Sequence, residues 1–320
     1  MSNNLNRLET INSMNLLNTL RKHPRLYTLL KKIYGKTLGF HYLKKIYIKK
    51  IGLWNSRKRV KVVSYKRANE LISEKIKSGE PFMVARYGST EFRNLFNDNL
   101  YNLCTYSGFF PNDKKLLKKF QGVYFESSKQ IDCLCIWNYL NHFLKKKKLV
   151  LKLPDLKCFF PDFLGHENPW IKSLEGKKVL IIHPFKKTIE SQYKRMNKLK
   201  ILPKLKKLEV IKAVQTIAGN PDKRFKDWFE ALDYMKKEID RKDFDIALIG
   251  CGAYGLPLAS HVKQKGRQAI HVGGALQLFF GIKGKRWETL CPVEMNEHWI
   301  RPLKEDIPES FQKIEGGCYW

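Results

Sequence analysis

Beyond residue 176 the hydrophobic pattern is regular. Short apolar runs at Val179–His183, Leu208–Val214, Asp245–Ile249 and Gln268–Val272 predict buried strands, and the stretches between them carry apolar residues at helical spacing. Trp228, Leu232, Met235 and Ile239 mark the buried face of one such helix, and another is expected to run from the glycine-rich turn at 250–255 to Gly266. Strands separated by helices of about ten to fifteen residues predict a Rossmann-like, doubly wound, mainly parallel α/β sheet.

The same pattern starts earlier. Ser64 is placed to cap a helix that Gly79 ends, and Phe82–Arg86, flanked by Pro81 and Gly88, reads as a further buried strand. From Asp113 to Lys148 the chain reads as mainly helical, with Trp137, Leu140 and Leu144 at helical spacing and Lys145–Lys148 as a solvated helix end. Residues 1–60 differ from all of this. Leu26, Leu30, Ile33 and Tyr34 recur at helical spacing, Pro24 is an expected break, and between Leu38 and Leu53 aromatic and aliphatic residues are interleaved with Lys44, Lys45, Lys49 and Lys50. The expected organisation is therefore a basic amphipathic helical arm, 1–60, before an α/β domain, 61–320.

Charge sharpens that division. The formal net charge is +31, and residues 1–61 hold fifteen basic side chains against one acid, Glu9, which is +14 in under a fifth of the chain. Such an arm suits an anionic membrane surface; packing of its aromatics on the main domain is the alternative. No run approaches the roughly 20 apolar residues of a membrane-spanning helix. Seven cysteines, an odd number without a secretory signal, argue for thiols in a reducing cytoplasm, and Cys133-x-Cys135 with His142 does not complete a zinc set. The expected location is cytoplasmic, peripheral to the inner membrane surface. A basic protein that binds nucleic acid or a phosphate ligand without transferase activity is the alternative, but no zinc-finger spacing or RNP-like aromatic motif supports it, so no nucleic-acid partner is expected.

The candidate chemistry gathers at strand ends. Gly250-Cys251-Gly252-Ala253-Tyr254-Gly255 follows a strand and opens a helix, the setting in which backbone N–H groups approach a phosphate; a purely structural tight turn uses the same residues. A nicotinamide dinucleotide enzyme places an acid about 20 residues on to hold the ribose, whereas this chain has His271-Val272-Gly273-Gly274. A nucleotide held through its phosphates fits better. Lys283, Lys285 and Arg286 are candidates to neutralise a diphosphate and Trp287 to stack on a base or sugar, with a flexible basic loop as the other reading.

At the first strand, Arg86-Tyr87-Gly88-Ser89-Thr90-Glu91 puts an Arg, a Gly and a Glu close together. Arg86 can hold phosphate or sugar hydroxyls and Glu91 can serve as general base or metal ligand; Glu91 as the structural ion partner of Arg86 is the alternative. This segment resembles the Arg-aromatic-Gly-Asp-Gly-Glu strand end of the GT-D glycosyltransferases of bacterial surface-glycan assembly, and 249–252 with 269–274 resembles their distal half. The likeness spans roughly residues 64–290. It implies transfer of a sugar from a nucleotide-sugar donor to a glycan or lipid-linked acceptor, as in polysaccharide or lipopolysaccharide biosynthesis. The expected catalytic residues are Arg86 and Glu91, and the expected donor contacts come from Gly88, Ser89, Gly250, Gly252, Gly255, His271, Gly273 and Gly274, together with Lys283, Arg286 and Trp287 read above.

One departure matters. Ser89 stands where the family has the Asp of an Asp-x-Glu pair, and serine is a poor ligand for a hard divalent cation, so dependence on Mn or Mg is put in doubt. Basic side chains from 283–286 can replace the missing charge. Glu297, His298 and Trp299 supply groups that suit a sugar acceptor.

Overall fold

The computed structural model describes residues 65–95, 99–136, 156–159, 170–290 and 294–320. The expected basic arm, residues 1–60, lies outside the described residues, as do Trp137, Leu140 and Leu144. Seven strands form one sheet in the order β3-β2-β1-β7-β6-β4-β5, and every pairing is parallel. These are β1 (Phe82–Arg86), β2 (Cys133–Ile136), β3 (Leu156–Phe159), β4 (Lys178–His183), β5 (Lys207–Lys212), β6 (Ile246–Ile249) and β7 (Gln268–His271). The middles of the central strands are apolar because helices cover both faces, which is why they read as hydrophobic runs, with polar residues such as His183, Gln268 and His271 at strand ends.

One face is covered by α1 (Tyr65–Ser78), α2 (Lys186–Tyr193) and the 3₁₀ segments Trp170–Leu174 and Gly273–Phe280, packed around Ile76, Ile181, Leu248 and Phe279. The other is covered by α3 (Lys114–Ser128), α4 (Trp228–Asp240) and α5 (Gly255–Gln264), packed around Phe109, Phe120, Trp228, Met235 and Leu258. Local chemistry sets the ends of these helices. Asp113 accepts the Lys115 N–H at 2.9 Å to cap α3, Asp227 accepts the Glu230 N–H at 2.9 Å to cap α4, and Gly79 adopts φ +74° after α1.

One expected element is corrected. The helix read from Asp113 onward ends at Ser128, and Cys133–Ile136 is instead β2, paired with β1 and β3. Four consecutive apolar residues carry neither a helical nor an alternating period, because an interior parallel strand is buried on both faces. Cys133 and Cys135 are accordingly core thiols.

The connections place the site. From β4 the chain passes through α2 to β5 on one side, and from β6 it passes through α5 to β7 on the other, so two adjacent strands send their chains to opposite faces of the sheet. A crevice opens beyond the carboxyl ends of such a pair, and parallel α/β sheets place ligands there.

Candidate functional site

A cavity of about 480 Å³ occupies that crevice. It is lined from β1 by Arg86, Gly88, Ser89 and Glu91, from β4 by His183, and from β6 and β7 by Gly250, Gly252, His271, Gly273 and Gly274. Arg286, Trp287 and the tail residues Glu315, Tyr319 and Trp320 close it. A second groove of about 400 Å³ beside β5 is lined by Lys242, Asp222 and Arg224 among others, but these pair locally: Arg224 with Asp222 at 2.6 Å and Lys242 with Glu209 at 3.0 Å. The strand-end cavity holds the more concentrated chemistry.

Glu91 lies in the first turn of α6 (Ser89–Asn94), the helix that directly follows β1. The turn brings its carboxylate back over Gly88 so tightly that a Cβ on Gly88 would fall within 1.9 Å of Oε2. Glycine at 88 is thus what lets Glu91 reach the strand end. Only 7% of Glu91 is exposed, and burial raises its pKa above the usual carboxylate range. Its own backbone N–H, the charge of Arg86 and the Ser107 hydroxyl all favour the ionised form, but they do not offset the desolvation.

Arg86 ends β1 and donates from Nη1 to the Val272 carbonyl at 3.4 Å. Burial lowers its pKa to about 10, against attraction from Tyr319 and Glu91, so it keeps its charge at neutral pH. Arg286 lies in α7 (Lys285–Leu290) and is the second cation of the cavity. Its Nη1 donates to the Tyr319 hydroxyl at 2.6 Å, its Nη2 to the Glu315 carboxylate, and its guanidinium lies 4.4 Å from the centre of the Tyr319 ring. Burial works against the charge, but Tyr319, Cys318 and Glu315 together raise its pKa. The positive charge of Arg286 adds to the lowering of the Arg86 pKa, and both arginines act against the burial that raises the pKa of Tyr319. Hydrogen bonds to Val272, Tyr319 and Glu315 hold the two guanidiniums in place at the cavity wall.

The glycine-rich turn has another character. Gly252 adopts φ +56°, and a Cβ there would meet the Ser107 carbonyl oxygen at 2.7 Å, while one on Gly255 would meet His271 Nε2 at 2.2 Å. Tyr124 donates to the Ala253 carbonyl at 2.7 Å, and Tyr254 stacks on Trp228 with ring centres 5.3 Å apart. Protein groups therefore occupy the space that these absent side chains leave, although Gly250 and Gly252 still line the cavity. Gly255 does not line it.

Most of the expected donor residues come together here, but not all. Lys283 lies off the cavity, 3.8 Å from Glu288, and the basic segment is not a bare loop, because Lys285 opens α7. Glu297, His298 and Trp299 are also outside the lining. Trp299 is 5% exposed and packs in the core, so its ring has no face to offer a sugar, and Glu297 and His298 sit 3.3 Å apart at the surface. Sequence reasoning passed over His183, Gln215 and Thr216 as site residues. His183 ended an identified strand, and a polar residue at the carboxyl end of a parallel strand was the signal available. The aromatic tail Gly316–Trp320 reads as suited to sugar contacts or to packing, and Tyr319 reaches the cavity because the tail folds back against Gly274.

For a divalent cation the donors are sparse. Among the described residues no group of three His, Cys, Asp or Glu side chains is placed to hold a metal. Near β1, Glu91 stands with Ser89, and Glu315 is engaged by Arg286. This set does not fit a protein-built site for a hard dication. No helix of the described residues is long and apolar enough to cross a membrane.

No family model matches the chain, and no curated protein does. Two solved structures are similar to it. One, described as a selenomethionine-substituted structure of domain of unknown function 1792, is 15% identical, with 83% of this chain and 96% of that chain covered and a TM-score of 0.43. The other, described as showing that the highly conserved domain of unknown function 1792 has a distinct glycosyltransferase fold, is 16% identical, with 79% and 96% covered and a TM-score of 0.41.

Proposed function

We propose that this protein is a glycosyltransferase that moves a sugar from a nucleotide-sugar donor to a glycan or lipid-linked acceptor in bacterial surface polysaccharide biosynthesis. The observation that carries the reading is the convergence of Arg86, Arg286 and the desolvated Glu91 on one cavity at the strand-end crevice. Two half-buried cations suit a diphosphate. A carboxylate whose pKa is raised suits a general base working near neutral pH.

In this reading the acceptor hydroxyl oxygen bonds to the anomeric carbon and gives its proton to Glu91. The bond from that carbon to the diphosphate oxygen breaks, and the electron pair leaves with the nucleoside diphosphate. Arg86 and Arg286 meet the charge that develops there, in a site where burial strengthens them. They take the part that a metal would otherwise play. Chelation is accordingly expected to change turnover less than the loss of either arginine.

Residues 1–60, with the basic excess noted above, would hold the enzyme on the anionic cytoplasmic face of the inner membrane, each surface-proximal Lys or Arg contributing about 1 kcal/mol. A thermal-shift screen against nucleotide sugars tests the central reading. A ligand at 100 times its dissociation constant stabilises the fold by about 2.7 kcal/mol. Absence of any shift, together with a salt-sensitive gel shift on nucleic acid, would replace the transferase by a nucleic-acid-binding protein.

A further inference from the structure

The last residue of β4 has a role that the scheme above leaves unused. His183 is 3% exposed, and its ring stands edge-on to Phe185 with centres 4.8 Å apart and planes at 70°. The ring also abuts Gly250, where a Cβ would come within 2.9 Å of Cδ2. These contacts fix the ring plane. The Phe185 N–H donates to His183 Nδ1 at 3.0 Å.

A ring nitrogen that accepts a backbone N–H carries no proton, so the single proton of the neutral imidazole is on Nε2. That nitrogen makes no hydrogen bond among the described residues and is not sealed off as a buried atom, and His183 lines the cavity. Burial alone pushes the pKa of the ring down to about 3. Charging the ring would also cost it the Phe185 bond. His183 is therefore a neutral donor that cannot act as a base through Nε2.

We propose that His183 is a ligand-binding residue whose Nε2–H donates to a phosphate oxygen of the donor diphosphate, a proposal that rests on the transferase reading above. Place and chemistry both favour phosphate. β4 and β6 are the two strands whose connections diverge, the point where a parallel sheet receives the phosphates of a nucleotide. An Nε2–H also needs an oxygen that accepts, and a phosphate oxygen always does. A donor of fixed orientation adds direction to the charge of Arg86 and Arg286.

Two substitutions separate the functions of the ring. In His183→Asn the amide oxygen replaces Nδ1 and keeps the Phe185 N–H satisfied, but the donor to the ligand is lost. In His183→Gln the amide nitrogen reaches the place of Nε2 and restores that donor. Binding of UDP, GDP, ADP and inorganic pyrophosphate is measured by calorimetry on the full chain and both variants. Asn is expected to weaken both pyrophosphate and the preferred nucleotide about 10- to 100-fold, the loss of a hydrogen bond to a charged group, and Gln to recover most of it.

Asn binding as the wild type does would overturn the His183 assignment and leave the transferase reading intact. Weakening confined to the nucleotides, with pyrophosphate unaffected, would move the contact to base or ribose and overturn it as well. If the wild type binds none of the four, both readings fall. A nitrogen-15 spectrum of the unliganded protein gives an independent check: protonated Nε2 and bare Nδ1 are expected at neutral pH, and the opposite tautomer would refute the proposal.

Discussion

The two ends of the cavity are built on different principles. At the β1 end, a five-residue strand and a tight turn deliver charged side chains, Arg86 and Glu91, whose ionisation the fold resists. At the β6 end, the glycine-rich turn delivers almost no functional groups, and its glycines admit Ser107, His271 and other protein atoms into close contact. The glycine-rich turn is thus chiefly a packing device, and the β1 segment is what brings charged side chains to the cavity. Glycine is selected by any close approach, whether the approaching group is a phosphate or a neighbouring backbone.

The comparison is most easily broken at Glu91. Glu91→Gln is expected to lower transfer about 10²- to 10⁴-fold, the usual effect of removing a general base, with nucleotide affinity changed by no more than a few-fold. Stability should move the other way. Because the folded carboxyl has a raised pKa, its contribution is fully present below the ordinary carboxylate range and is lost as pH rises through the folded value. The neutral amide does not titrate, so the melting temperature of the variant should gain on that of the wild type across that window. A variant that melts earlier at neutral pH but turns over normally when folded would make Glu91 a structural residue.

Arg286→Ala sharpens the same end. It removes a cation that Tyr319 and Glu315 hold in place, and a loss of about 10- to 100-fold in nucleotide-sugar affinity is expected from one charge-assisted contact. Titration calorimetry reads it directly. Unchanged affinity would separate Arg286 from the diphosphate and leave Arg86 as the sole cation of the site.

At the β6 end the expected effect is on stability. Gly255→Ala drives a methyl group to 2.2 Å from the His271 ring, and overpacking of a tight core typically costs about 1–3 kcal/mol. Gly252→Val adds a β-branched side chain at positive φ, aimed at the Ser107 carbonyl, so it should lower the melting temperature before it affects any ligand. Chemical denaturation with and without nucleotide distinguishes the cases. A Gly252→Val protein of normal stability that no longer binds would return the turn to the phosphate.

How far the sequence reveals this arrangement follows from the range of the interactions. Strands β4, β6 and β7 and the buried face of α4 are legible because their patterns are local. β2 was hidden, since Cys133–Ile136 follows a helix without a glycine or proline to announce a strand. Arg86 and Glu91 could be read from one short segment. The contact of Tyr319 with Arg286 could not, because it joins residues 33 apart in the chain. The packing role of Gly255 was equally out of reach, since it depends on a histidine from the next strand.

The smallest effect is expected where sequence composition suggested an acceptor site. Glu297 has 80% of its side chain exposed, and its carboxylate lies 3.3 Å from the His298 ring. An exposed pair of this kind contributes about 0–1 kcal/mol. Neither side chain lines the cavity, and Trp299 behind them belongs to the core, so nothing there joins an acceptor to Glu91. Glu297→Ala with His298→Ala should therefore leave the melting temperature, the nucleotide affinity and kcat/KM for the acceptor within about two-fold of the wild type, as surface substitutions usually do. Trp299→Ala is the internal control, because removal of a buried indole should cost about 3–5 kcal/mol without any specific effect on KM. A tenfold rise in acceptor KM for the double variant at unchanged stability would place the acceptor on the surface beyond the cavity, and the site would then extend from β1 across to the segment that precedes the tail.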